Sequence, residues 1–349
     1  MGNFKLLIAL AVAAMAGTAA LAQAPAPQMV PKAGPVTKAP YQPQAILPGG
    51  IVLPLYPAGS PFLNAKRVRE AEVYTMDKVV PGRVAGIVNV HNPSIEVHLA
   101  SANNNTGTAI IVAPGGGHRV LVIGSEGGDQ VPYFFNYGIS TIILRNRLRN
   151  DGYDAKIDAV NDALQAIRLV RAHAAEWNID PHKIGIIGFS AGAELTMATA
   201  LQYDAFNAKT GGDALGTVSS RPDFVGAIYP GPSLFTPVAV AKDGVPAIPK
   251  NAPPSFIAGA GWEDKIHAVW ADEYFSALLH AGTPNVEMHI YARGKHGGGM
   301  GYRDFTGEGT WQDRFIGWLR DLGYFQKSGV QTQADKDVAD FVAAPPAKP

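Results

Sequence analysis

Residues 183–200 read KIGIIGFSAGAELTMATA. Ile184-Gly185-Ile186-Ile187 is an apolar, β-branched run of the kind that forms a buried strand. It turns through Gly188-Phe189-Ser190-Ala191-Gly192 and continues into residues 193–200, rich in helix formers. Strand, tight turn with a serine at its apex, then helix is the G-x-S-x-G nucleophile elbow. The serine sits on a strained turn, so the residues two positions away must be small. Oγ then stands clear of the backbone, with a helix N-terminus behind it to favour developing negative charge. The bland alternative is a structural Gly-rich turn. The strand–turn–helix context selects a nucleophilic Ser190.

The pattern on both sides is alternating. Residues 84–89 and 95–99 read as strands joined by the turn at His91-Asn92-Pro93-Ser94. Residues 108–113, TAIIVA, form a continuous apolar strand of the parallel-sheet type and feed Pro114-Gly115-Gly116-Gly117-His118. A helix is expected across 127–137, a strand over 138–144 and a helix with apolar spacing over 153–176. After the elbow come strands at 223–229, 255–260 and 285–291, and helices at 268–281 and 311–322. The loop at 239–251 shows no obvious chemistry. The fold class is therefore α/β, a mostly parallel central sheet with helices on both faces, whose site lies at the carboxyl ends of the strands.

Length and composition bound the rest. The 349 residues are 47% apolar and 17% charged, which suits one globular α/β domain with tails. Lys+Arg and Asp+Glu are both 29, so no charge surplus argues for a nucleic-acid partner. The absence of cysteine excludes disulfides, thiolate metal sites and a cysteine nucleophile. Lys5, the apolar run 6–16 and the small-x-small pattern at Ala20-Leu21-Ala22 read as a signal peptide over residues 1–22, which predicts a secreted or periplasmic protein. No other run is long and apolar enough for membrane insertion. Residues 23–69 are Pro-rich and read as a flexible leader, with a structured arm over the domain as the less favoured reading. The catalytic domain is expected over 70–325, and residues 326–349 as a polar, disordered tail.

Three loops follow strands and converge on one sheet edge. They carry Ser190, Asp264 and His296, in the chain order Ser…Asp…His. A serine hydroxyl is a poor nucleophile at neutral pH and needs a base within reach. Histidine can take that proton and return it to a leaving group, and a carboxylate fixes the imidazole tautomer. With histidine as the base, activity is expected to fall below pH ~6–7. Glu263 competes with Asp264, being acidic and at the same strand end. An oxyanion would be held by the amides of Ala191 and of Gly116 and Gly117, where substrate must come close to the backbone. His118 and Arg119 flank the glycine loop as substrate contacts or as surface residues. Glu126 reads as a substrate contact or a helix-start acid, and Trp262 as a pocket wall or core. Arg145 and Arg147 read as domain salt bridges, Asp158 and Asp162 as a solvated helix face. His91, His98, His173, His182, His280 and His289 show no metal-binding spacing, so neither metal nor cofactor is expected.

With these residues assembled, the chain resembles secreted α/β-hydrolases of the acetyl-esterase type, the acetylxylan-esterase-like proteins related to xylanase B. The resemblance covers about residues 84–325. It rests on residues 114–121, 172–195 and 261–282, and on Glu287-Met288-His289-Ile290-Tyr291 leading to Gly294-Lys295-His296-Gly297. It implies a serine esterase with Asp264 as the triad acid and Gly116, Gly117 and Ala191 around the oxyanion. Ala193, His118, Glu263 and Lys295 depart from the family pattern. The implied substrate is a small-molecule or carbohydrate ester, with acetyl esters on cell-wall polysaccharide foremost. A general carboxylesterase or lipase-like enzyme, a peptidase of the same fold, and a non-catalytic envelope or carbohydrate-binding protein are the other readings.

Overall fold

The computed structural model describes residues 39–209, 214–237, 240, 244–300 and 307–345. The signal-peptide segment 1–22, the first part of the leader and the last four residues lie outside that set.

Among the described residues there are ten strands: β1 (Ile51–Pro54), β2 (Val73–Met76), β3 (Val84–Val88), β4 (Ser94–His98), β5 (Ala109–Ala113), β6 (Ser140–Arg145), β7 (Ile184–Phe189), β8 (Val225–Ile228), β9 (Ser255–Ala260) and β10 (Val286–Tyr291). Eight form one sheet in the order β1-β4-β6-β5-β7-β8-β9-β10. From β6 to β10 the neighbours are parallel, while β1 and β4 run antiparallel at one edge. The helices are α1 (Gln130–Asn136), α2 (Val160–Ala172), α3 (Ala191–Lys209), α4 (Lys265–His280), α5 (Trp311–Asp321) and α6 (Gln333–Ala343).

Both sheet faces are covered, so the central strands are apolar at every position rather than at alternate ones. Ile111 and Ile186 point to one face and pack with Ala163 and Ile167 of α2. Ile110, Val112 and Ile187 point to the other and pack with Phe315 and Leu319 of α5. Each such fully buried side chain stabilises the fold by about 1.5–3 kcal/mol.

Chain order reverses direction at β5. The chain leaves β5 for β6 on one side, and β7 then pairs on the other, with Ala113 opposite Gly188. The loops after β5 and β7 are thereby side by side at the carboxyl edge, where a topological switch opens a crevice.

Three expectations are corrected. The leader is ordered from residue 39 onward: β1 joins the sheet edge, and Leu55 and Tyr56 lie in the core. Buried charge holds this arm. Arg145 pairs with Glu72 (3.0 Å) and Glu96, and Glu96 accepts the amides of Ile46 (2.9 Å) and Leu47 (3.0 Å). The two strands expected at 84–89 and 95–99 are present as β3 and β4, which part company: β3 pairs with β2 in a separate ribbon, and β4 joins the main sheet. The C-terminal segment is not a plain tail: α6 is capped by Thr332 and inserts Ala334 beside Leu322. Asp162 is buried rather than solvated and binds Arg147 at 2.7 Å, while Asp158 binds the same guanidinium at 3.1 Å. Arg145 and Arg147 do make ion pairs within the domain.

Candidate active site

The elbow's geometry follows from its glycines. Ser190 has φ +52°, a left-handed conformation costly for a residue with a side chain. A Cβ on Gly188 would stand 2.1 Å from the Gly192 carbonyl oxygen, and one on Gly192 would stand 2.0 Å from that of Ala113. The turn closes only because both are glycine. The Ser190 amide donates to Ile228 O (3.0 Å), and its carbonyl accepts Ala193, Glu194 and Gly231.

The structure brings Ser190, His296 and Asp264 into one hydrogen-bonded row. Ser190 Oγ lies 2.8 Å from His296 Nε2, and His296 Nδ1 lies 2.8 Å from Asp264 Oδ2. Asp264 is buried, which opposes its ionisation. Hydrogen bonds from His267 and His296, together with their charge, nonetheless hold its carboxyl at about 2. Glu263 points elsewhere, to Arg293 (3.1 Å) and the Gly294 amide (2.9 Å). The two adjacent acids are thus separated by direction and burial, and Asp264 is the one that meets the imidazole. Helix α4 begins three residues earlier than the periodicity suggested. This puts Asp264 at its N-cap, with the carboxylate turned to the histidines instead of capping.

Gly116 (φ +121°) and Gly117 (φ +63°) turn the loop after β5 past Ser190. Among the described residues, the N–H groups of Gly116, Gly117 and Ala191 meet no acceptor. The Gly115 amide is used differently, donating to Glu126 Oε2 at 2.8 Å.

Glu126 is neither a substrate contact nor a plain helix-start acid. It is buried, which raises its pKa, and binds Gly115 on one oxygen and Tyr229 Oη (2.9 Å) on the other. Tyr229 Oη also accepts the Gly299 amide (2.8 Å), so one carboxyl ties the glycine loop to the histidine loop. His118 is buried, with φ +57°, and its Nε2 lies 2.6 Å from Glu194 Oε2. Arg119 is exposed, and Trp262 is 80% exposed, which overturns its reading as core.

A cavity of about 330 Å³ opens beyond the His118–Glu194 pair. Val160, Leu195, Ala198 and Leu234 form apolar walls, with Arg149 and Lys156 among the polar lining groups. Ser190 is not part of its wall.

The sequence reading missed His267. Its Nδ1 binds Asp264 Oδ1, and its ring stacks on His296 with centroids 3.7 Å apart. The available signal was the Asp–x–x–His spacing at a helix start, which places both residues on one side of the first turn. Asp264, His267 and His296 also bring three possible metal-ligand atoms within 4.8 Å of one another. In the structure these groups are hydrogen-bonded to each other.

The comparisons with known proteins fit this architecture. The structure superposes with TM-score 0.63 on the acetyl ester-xyloside bifunctional hydrolase from Caldicellulosiruptor lactoaceticus, at 25% identity, covering 80% of this chain and 99% of that one. The chain has the α/β-hydrolase fold. Residues 95–224 of this chain match the BD-FAE family, a span that includes the glycine loop and Ser190. It is 30% identical over 250 residues to the acetylxylan esterase of Xylanibacter ruminicola, covering 64% of this chain and 46% of that protein. It is 26% identical over 218 residues to endo-1,4-beta-xylanase B of Butyrivibrio fibrisolvens, covering 54% of this chain and 32% of that one. This chain therefore spans less than half the length of these curated relatives. A Thermogutta terrifontis esterase with bound butyrate shares the fold, with TM-score 0.55 at 22% identity, covering 69% of this chain and 93% of that one.

Proposed function

We propose that the protein is a secreted serine esterase acting on short acyl esters, acetyl groups on xylan-type polysaccharide foremost. The observation that carries the reading is the row Ser190 Oγ–His296 Nε2, His296 Nδ1–Asp264 Oδ2, each link 2.8 Å. His296 takes the Ser190 proton as Oγ attacks the ester carbonyl. The oxyanion formed is received by the amides of Ala191 and of Gly116 and Gly117. The His296 imidazolium, stabilised by Asp264, gives its proton to the departing alcohol oxygen and leaves an acyl-Ser190. His296 then deprotonates a water, which attacks the acyl carbonyl; the acyl–Oγ bond breaks, His296 returns the proton to Ser190 Oγ, and the acid is released. The acetylxylan esterase of Xylanibacter and the acetyl ester-xyloside hydrolase of Caldicellulosiruptor support acetyl esters and xylosides as the substrate class. The cavity beyond His118 and Glu194 is suited to the alcohol portion. Secretion rests on the signal-peptide pattern in residues 1–22 alone.

The test is hydrolysis of p-nitrophenyl acetate, butyrate and octanoate, and acetate release from acetylated xylan, by wild type and Ser190→Ala. Acetate turnover lost in the variant is the expected result. A preference for octanoate would replace this reading by a lipase-like one. Absence of turnover and of labelling by a serine-directed phosphonate would overturn it.

A further inference from the structure

We propose that His267 is a positioning residue for this site: it pins the Asp264 carboxylate through Oδ1 and braces the face of the His296 ring. This role rests on the esterase reading of Ser190, His296 and Asp264.

A carboxylate bonded through one oxygen turns easily about its terminal torsion, which is broad. Asp264 is held at both oxygens, Oδ2 by His296 and Oδ1 by His267. Because Asp264 is ionised and can only accept, Nδ1 of His267 carries the proton and donates it. His267 lies in the first turn of α4 and is edge-on to Trp270, with centroids 5.0 Å apart. It is therefore fixed to a regular element.

His296 has no such support of its own. It sits between Lys295 and three glycines, and more than a third of its side chain is open to solvent. Its ring is bounded by His267 at 3.7 Å and 21°, and by Tyr229 edge-on at 5.1 Å. A base that must hold Nε2 on Ser190 while its loop is exposed needs a wall, and α4 supplies it through His267.

His267 also affects charge. It shares Asp264 with His296, and when protonated it sets a like charge against the imidazolium. The other groups facing this pair are Glu308, Glu263 with Arg293, Lys295, and Glu126 with Tyr229 behind the ring. Removing His267 leaves Asp264 wholly to His296, which favours the protonated base. The acid limb of kcat/KM then moves to higher pH.

Three variants separate the two contacts. His267→Ala removes both. His267→Asn keeps a donor where Nδ1 stands, and His267→Phe keeps a ring without the donor. In p-nitrophenyl acetate hydrolysis His267→Ala is expected to lose about 10–100-fold in kcat with little change in KM, and to shift the acid limb upward. His267→Asn should recover most of the loss and His267→Phe little of it. Histidine ¹⁵N NMR should show the His296 Nδ1–H signal retained in His267→Asn and broadened in His267→Phe, whether or not an ester is turned over. That readout separates failure of this inference from failure of the esterase reading. Full activity and an unshifted limb in His267→Ala, or equal activity in the Asn and Phe variants, would overturn the positioning role. If the alanine variant does not fold, the Asn and Phe pair decides.

Discussion

Glu126 and Tyr229 meet at 2.9 Å behind the site, and each holds a different loop of it. Glu126 holds the Gly115 amide, and Tyr229 holds that of Gly299. The glycine loop and the histidine loop are thus referenced to one buried carboxyl–phenol pair. Tyr229→Phe leaves Glu126 Oε1 and the Gly299 amide without their partner. The variant should lose about 1–3 kcal/mol of stability, read by urea denaturation, and should lose activity as well, since Gly299 lies three residues beyond His296.

Asp264→Asn should reduce kcat/KM by on the order of 10³–10⁴, because an amide cannot stabilise the imidazolium and offers a donor where an acceptor is needed. Glu263→Gln should stay within a few-fold of wild type, since Glu263 serves Arg293 and the Gly294 amide. Assaying both variants on p-nitrophenyl acetate checks the assignment, and the reverse ranking would make Glu263 the acid.

Glu308 supplies a pH dependence of stability. Burial, then the charges of Asp264 and Glu263, push its carboxyl from the ordinary 4.5 up to about 7, against a lowering by His296. Among the described residues its buried Oε1 meets no hydrogen-bond partner, as suits a neutral acid. The folded protein holds this proton more tightly than the unfolded chain does. The contribution is therefore complete below pH 4.5 and lost as pH rises through 7. Wild type should lose on the order of 1–3 kcal/mol from this group between pH 5 and 8. Glu308→Gln should flatten that difference, visible as a smaller drop in Tm.

Arg145 is fully buried between Glu72 and Glu96. Arg145→Ala strands two buried carboxylates and releases the arm at Ile46 and Leu47. It should cost about 3–5 kcal/mol, measured by chemical denaturation, and increase proteolysis of the chain before residue 60.

The sheet, its helical cover and the elbow were legible in the sequence because they are local. A β-branched run, a helical spacing or a G-x-S-x-G turn states its conformation within a few residues. The strand-end loops bearing Ser190, Asp264 and His296 were legible for the same reason, since a parallel sheet sends every such loop to one edge. Tertiary structure decided what depends on direction and on distant partners. Glu263 and Asp264 are neighbours of like chemistry, and only the entry of α4 aims one at His296 and the other at Arg293. Asp162 looked like surface until Arg147 was placed over it. The Pro-rich arm looked like a leader because Pro fixes local φ, while its strand depends on β4, some 40 residues away. His267 carries no motif of its own. Its place follows from one helical turn laid beside a loop that begins about 30 residues later, a contact written in packing rather than in spacing.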